Sequence, residues 1–436
     1  MNLFACNRLG ALPRELTQRE NIMENLCLMI VRLMLAGVCA CGAPRAVSQT
    51  AASAVRQTPP PAPVAAPDPK SAFPLPAPNS GSKFWWTGFC SVDTKTEYDD
   101  IVKSLNDYRK DDSAYQMDVV STYCSRPDLF KDGMTVNQSW EPFALTPFND
   151  KRGALNMRLF LPPRALLVIA CNIIPASKEI SNARGANPGI WDEIPTGRYD
   201  QYYTQWAGNL KTALQSPKYP GAPIEINRVV LRMAWEFNWQ SFSHCAQGNL
   251  EGFKRSWRHI VNIYRKELPG VRFELHPVAT KQVLVKKDGS YYSYAELDPG
   301  PEYVDFYGMA FHEGYPTVSS DKLFDDRMNG TKNEHGYNEA MEHAKKMKRL
   351  FACGEWSPIM LAKRGTKRGT ERPDLMIGNP DYKNANSRGW FNWLYQNRQH
   401  VAYETFFHAA GGPITSPTWD CAQMYRKIWM SDDVRR

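Results

Sequence analysis

Several signatures are missing from this 436-residue chain, and each absence removes a class of chemistry. It has no Cys/His spacing of the zinc-site kind, no Walker phosphate loop and no dinucleotide glycine fingerprint. Metal, nucleotide and dinucleotide chemistry are therefore unsupported, and no cofactor is expected. Charge is not one-sided either. Its 53 Lys and Arg against 45 Asp and Glu leave a net +8, too moderate to call for a nucleic-acid partner. Aromatic residues are plentiful, with 13 Trp, 20 Tyr and 19 Phe, and 43% of the chain is hydrophobic, ample for a sizeable core.

Residues 1–48 read as a leader. Leu26 to Ala43 (LCLMIVRLMLAGVCACGA) is apolar except for Arg32 and ends in small residues, as a secretory signal does. Cys41 lies in a lipoprotein-like processing site, and cleavage after Ser48 is the competing option. Either implies export, as a periplasmic or outer-membrane lipoprotein or a secreted protein, with membrane attachment through the N-terminus in the lipidated case. Residues 49–82, rich in Ala, Pro and Ser, cannot bury a core and read as an extended tether.

From residue 83 to 436 short apolar strands alternate with helical stretches. Strands are expected at Phe84–Val92, Tyr115–Tyr123, Ala165–Ile174, Val229 onward, Val271–His276, Val304–Gly308, Phe351–Trp356 and Val401–Phe407. Helices are expected at Thr94–Arg109, Tyr199–Leu214, Phe253–Leu268 and Tyr337–Leu350. This alternation predicts an α/β fold, a (β/α)8 barrel in a single domain. A doubly wound sheet satisfies the same pattern but lacks its glycine-rich turn.

The chain is organised around Ile226 to Gln240, INRVVLRMAWEFNWQ. A buried aliphatic run gives way to Arg232, Glu236 and Asn238 among Trp235, Phe237 and Trp239. If the strand continues, Arg232, Ala234 and Glu236 share one face. A buried arginine and carboxylate are costly without partners or a function, and the C-terminal strand ends are where parallel barrels build active sites. The plainer reading is a buried ion pair with aromatic packing. A second carboxylate, Glu355, ends the short apolar strand of Phe351–Trp356. Alone it reads as a rim carboxylate; together with Glu236 it makes the pair that glycosidic bond cleavage requires.

These residues resemble family 26 glycoside hydrolases, the endo-β-mannanases and their relatives, whose fourth strand carries Arg-x-x-x-Glu. Supporting landmarks in order are Tyr199-Asp200-Gln201-Tyr202, Trp257 to Val261, Pro301 to Asp305, Gly378-Asn379-Pro380 and Trp390 to Leu394. The resemblance implies a retaining, endo-acting hydrolase of an extracellular or envelope polysaccharide. Glu236 would be its acid/base and Glu355 its nucleophile, with carboxyl groups about 5–5.5 Å apart. Arg232 would orient Glu355 or keep it ionised. The chain departs from the family pattern with Trp235 in place of a histidine, and with Ala310 and His312 in place of an Asp and a Tyr. That tyrosine hydrogen-bonds the nucleophile, so His312, Tyr307 or Tyr315 would inherit the role.

Asn238 and Trp239 are candidate sugar contacts, with core packing the alternative; Trp235 is a further candidate contact, and Trp356 beside Glu355 a candidate stacking platform. Of Trp85 and Trp86, at most one faces a barrel interior. His276 reads as a satisfied rim histidine. Cys90 and Cys124, on neighbouring strands, are a candidate disulfide, while Cys171 and Cys353 read as buried thiols. Lys367 and Arg368, in a basic run after Trp356, suggest an acidic polysaccharide; a merely solvated loop is the alternative. A non-catalytic glycan-binding barrel in polysaccharide export or envelope assembly is the competing function.

Overall fold

The computed structural model describes residues 85–108, 116–124, 136–148, 154–175, 188–240, 242–279, 284–312, 318–358, 372–378, 381, 383–384, 386–408 and 420–429. The expected leader and tether lie outside them, as do Tyr315, Lys367 and Arg368.

The strands are β1 (Trp86–Cys90), β2 (Val119–Cys124), β3 (Leu166–Cys171), β4 (Val229–Met233), β5 (Arg272–Leu275), β6 (Phe306–Gly308, resuming as Phe311–His312), β7 (Leu350–Ser357) and β8 (Val401–Phe407). All neighbouring pairs are parallel, β1 pairs with β8, and β6 pairs with both β5 and β7. The sheet therefore closes, and the fold is a (β/α)8 barrel.

Alternation along each strand divides the side chains between two cores. Trp86, Val119, Val168, Val230, Phe306, Ala352 and Tyr403 form a small inner cluster. Phe89, Leu167, Ile169, Leu231 and Phe273 face outward into a much larger layer beneath the helices. Trp86 thus takes the interior, and Trp85 packs outside, 6.2 Å from the Phe391 ring. At β1, a Cβ on Gly88 would lie 1.7 Å from the Val119 carbonyl oxygen, so the close approach of β1 to β2 excludes any side chain there.

Helix Leu250–Glu267 shows how the layer is built. Phe253, Trp257, Ile260, Val261 and Tyr264 recur at three- and four-residue spacing and are buried on one face. Asn249 caps it, its Oδ1 accepting from the Gly252 N–H at 2.9 Å. Each such side chain contributes about 1.5–3 kcal/mol by burial.

Other expectations need correction. The helix from Tyr337 ends at Lys346, and Leu350 already belongs to β7. Lys348 takes φ +54° in the turn between them. Helices Val136–Ala144 and Asp321–Asn329 were not anticipated. Cys90 and Cys124 are buried free thiols. Cys90 Sγ lies 3.9 Å from Arg232 inside the barrel, whereas Cys124 Sγ contacts Thr146 Oγ1 at 3.7 Å. Adjacent strands bring them near, but opposite faces keep them apart. Cys171 and Cys353 are buried thiols, as read from the sequence. Among the described residues no helix is long and apolar enough to cross a membrane.

Trp257 is fully buried, and its Nε1–H donates to the Tyr303 carbonyl at 3.1 Å. Trp257→Ala should cost about 3–5 kcal/mol, read as a lower midpoint in urea unfolding. A loss under about 1 kcal/mol would mean that this layer can collapse around the void.

Candidate active site

At the C-terminal ends of the strands the barrel interior turns from apolar to charged. Arg232, on β4, has no exposed surface. Its Nη1 lies 2.8 Å from Glu355 Oε2, an ion pair inside the barrel. Tyr123, near the end of β2, donates its hydroxyl to the same Oε2 at 2.7 Å. His312 Nε2 stands 3.2 Å from Glu355 Oε1, an ion-pair distance without hydrogen-bond geometry. Its Nδ1 is 3.1 Å from Ser357 Oγ.

A bulge in β7 is what aims Glu355. Against β8, Cys353 pairs with Glu404 but Trp356 pairs with Phe406, so three steps on β7 match two on β8. The extra residue reverses the alternation. Gly354 and Glu355 both reach the interior, and Trp356 turns outward. There it is fully buried against Phe406, Phe391 and Trp390, with its indole N–H donated to Glu404. Trp356 is thus no stacking platform.

Glu236 arrives by a different route from the one expected. Strand β4 stops at Met233, and a turn follows in which Ala234 and Glu236 take φ +45° and +54°. Left-handed backbone at non-glycine residues costs about 1–3 kcal/mol each and is concentrated at functional sites. The Glu236 N–H is held by the His276 carbonyl at 2.7 Å. The turn leaves Glu236 5% exposed, close to the 6% of Glu355.

The two carboxyl groups are driven apart in acidity. Burial, then the negative charge of Glu355, raises Glu236 from 4.5 to about 8, opposed by Arg232. Burial alone would raise Glu355 too. The Arg232 guanidinium, then His312 and the Tyr123 hydroxyl, outweigh it and hold that carboxyl well below the usual range. Near neutrality the site therefore holds one carboxylic acid and one carboxylate.

Beneath this pair lies a third buried acid, Glu274. Its Oε1 faces His276 Nδ1 at 2.7 Å and accepts from the Gly354 N–H at 3.1 Å. Oε2 accepts from the Tyr403 hydroxyl at 2.6 Å. Because the carboxylate can only accept, Nδ1 carries the proton. His276 Nε2 is then free to face Arg232 Nη1 at 3.5 Å. Burial holds the His276 pKa down, consistent with a neutral ring. His276 is therefore buried in the floor rather than placed on the rim.

Other expected residues divide. The Trp235 ring packs edge-on to Tyr123 at 5.4 Å, beside Glu355, and touches Phe242 at 5.3 Å. Trp239 is half-buried, edge-on to Phe242 at 5.4 Å. Asn238 is fully buried, and both ends of its amide bond the Val278 backbone at 2.8 Å, so it clips the β4 turn to the segment after β5. Tyr307 points outward, donating to Asp298 Oδ2 at 2.7 Å, and does not meet Glu355. Sequence reasoning missed Tyr123 and Glu274. Strand alternation from Val119 through Ser121 would have aimed Tyr123 inward. The cost of a buried charge, applied to Arg232, applies equally to Glu274 in VRFELH.

No protein-family model matches the chain, and no curated protein matches it in sequence. Among solved structures it is similar to the catalytic domain of the GH26 endo-beta-1,4-mannanase of Bacillus sp. JAMB-750. That match has 13% identity over 82% of this chain and 88% of the other, with a TM-score of 0.49. It is also similar to a GH26 beta-mannanase from Bacteroides ovatus, with 12% identity, 84% and 91% covered, and a TM-score of 0.45. The likeness is to family 26 barrels. At these values it is one of architecture and transfers no residue's role.

The acidity of Glu236 can be read without a substrate. Its carboxyl contributes stability that is fully present below pH 4.5 and lost as the pH rises through about 8. Glu236→Gln has no proton to lose. Its melting temperature should therefore gain on the wild type progressively from pH 4.5 to about 8. A constant difference across that window would mean that Glu236 titrates normally.

Proposed function

We propose that the protein is a retaining glycoside hydrolase. The observation that carries this reading is two buried carboxyl groups in one barrel mouth, of which Glu355 is ion-paired to Arg232 at 2.8 Å while burial and the charge of Glu355 keep a proton on Glu236. Glu355, ionised and fixed by Arg232 and Tyr123, attacks the anomeric carbon as the glycosidic C–O bond breaks. Glu236, still protonated, delivers its proton to the departing oxygen. Glu236, now a carboxylate, then takes a proton from water. That water attacks the anomeric carbon and releases Glu355, with net retention.

The half-buried Trp239, Trp235 and Phe242 give the mouth an aromatic side suited to sugar faces. We extend the proposal to an exported enzyme on an acidic polysaccharide, on the strength of the apolar leader and the basic run around Lys367 and Arg368, and to endo action, on the strength of the family resemblance alone. A binding barrel that does no chemistry is disfavoured by the strained, proton-holding Glu236, which recognition alone does not need.

On a panel of extracellular polysaccharides and aryl glycosides, Glu355→Gln should abolish turnover whatever the leaving group. Glu236→Gln should lose about 10²–10⁴-fold on poor leaving groups and far less on activated ones. Azide should rescue Glu236→Ala, giving a glycosyl azide of retained configuration by NMR. Equal losses in both variants on every substrate would reject the assignment.

For an acidic glycan, apparent affinity should fall as salt rises, because the attraction is screened over about 10 Å at 0.1 M. Replacing Lys367 and Arg368 by Gln should flatten that dependence. Equal cleavage of a neutral glucan or mannan, with no salt effect, would reject the acidic substrate while leaving the hydrolase reading intact.

A further inference from the structure

Both catalytic candidates are held through their backbones as well as their side chains, and both holds lead to one residue. The Gly354 N–H, immediately before Glu355 in the β7 bulge, is bound by Glu274 Oε1 at 3.1 Å. The Glu236 N–H is bound by the carbonyl of His276, whose ring Nδ1 meets the same Oε1 at 2.7 Å. Glu274 Oε2 is anchored to β8 by the Tyr403 hydroxyl at 2.6 Å. Room for this carboxylate is kept by two glycines. A Cβ on Gly308 would sit 2.6 Å from Oε1, and one on Gly354 would sit 2.7 Å from Oε2.

We infer that Glu274 is a positioning residue: it clamps β5, β7 and β8 together so that the Glu236 turn and the Glu355 bulge are set in register across the mouth. The inference rests on the glycosidase reading for its kinetic consequence but not for its geometry. A retaining mechanism tolerates little error in the spacing of its two carboxyl groups, and a loop turn and a strand bulge are both soft. A fully buried acid on β5, with hydrogen-bonding partners at His276 just past β5, at Gly354 on β7 and at Tyr403 on β8, supplies the missing stiffness. Its charge is balanced by Arg232 on β4, which already serves Glu355. The other titratable groups that feel its charge are His276 just past β5, Cys353 on β7, Tyr403 on β8 and Tyr294 outside the barrel.

Reach and charge separate in two variants. Glu274→Gln keeps the length. Its carbonyl oxygen can still serve Gly354 and His276, while its NH2 donates to a reoriented Tyr403 hydroxyl. Glu274→Asp keeps the charge but is one methylene short of that span. If Glu274 acts by reach, Glu274→Asp should lose on the order of 100-fold in kcat, as a displacement near 1 Å does. Its KM should stay within about threefold of wild type, because the interaction lost is one needed in the transition state. Glu274→Gln should lose less than Glu274→Asp.

The second readout needs no substrate. Carboxyl 13C NMR titrations of Glu236 and Glu355 should show their separation in acidity narrowing in Glu274→Asp, as the two groups drift from each other and from Arg232. A purely structural role would lower the melting temperature of both variants and leave those titrations unchanged. That result, or a Glu274→Gln more damaging than Glu274→Asp, overturns the inference. Narrowed titrations in a protein whose wild type cleaves no glycan would retain the clamp and reject the hydrolase. A competent wild type with an unaffected Glu274→Asp would do the reverse.

Discussion

One buried positive charge governs the inside of this barrel. Removing an arginine from water costs several kcal/mol unless its charge and donors are met. Arg232 is met by Glu355 on one side and by the His276–Glu274 pair on the other. Its charge makes it possible for Glu355 to remain ionised in a place where burial alone would protonate it. Once Glu355 is a carboxylate, its field adds to burial in keeping the proton on Glu236. The difference in acidity thus begins with burial, which raises both groups, and is opened by the arginine, which with His312 and Tyr123 reverses the effect at Glu355.

Much of this was legible in the sequence. The strand-and-helix alternation located all eight staves of the barrel, and β8 spans the residues expected of it. Arg232, Glu236 and Glu355 were recognisable because charged groups at the ends of buried strands carry a large cost that must be balanced. The same reasoning reached Glu274 and was not applied there, since the residue looked like the middle of an ordinary strand. Tyr123 was hidden differently. The family resemblance points to a tyrosine just past β6, whereas the contact in this closed barrel crosses the lumen from β2 to β7.

Around the two carboxyl groups, expectations failed where the backbone leaves regular geometry. Glu236 was placed by extending β4 as a strand, yet left-handed residues at 234 and 236 deliver it. Trp356, expected as a stacking platform beside Glu355, faces outward past the bulge. Asn238, a candidate sugar contact with core packing as its alternative, is consumed by the Val278 backbone. Irregular backbone depends on partners far along the chain, such as the His276 carbonyl or β8, and a local window carries no trace of them.

The β7 bulge makes the lumen-facing residue a matter of counting. Were the strand to run regularly from Ala352 with every residue kept, alternation would turn the Glu355 carboxylate outward, toward the aromatic packing of Phe391 and Phe406, and turn the Trp356 indole inward. Gly354 cannot take even a methyl group there, since its Cβ would lie 2.7 Å from Glu274 Oε2. The face that the carboxylate takes is thus decided by where one extra residue falls in the strand, and that place is open only to glycine.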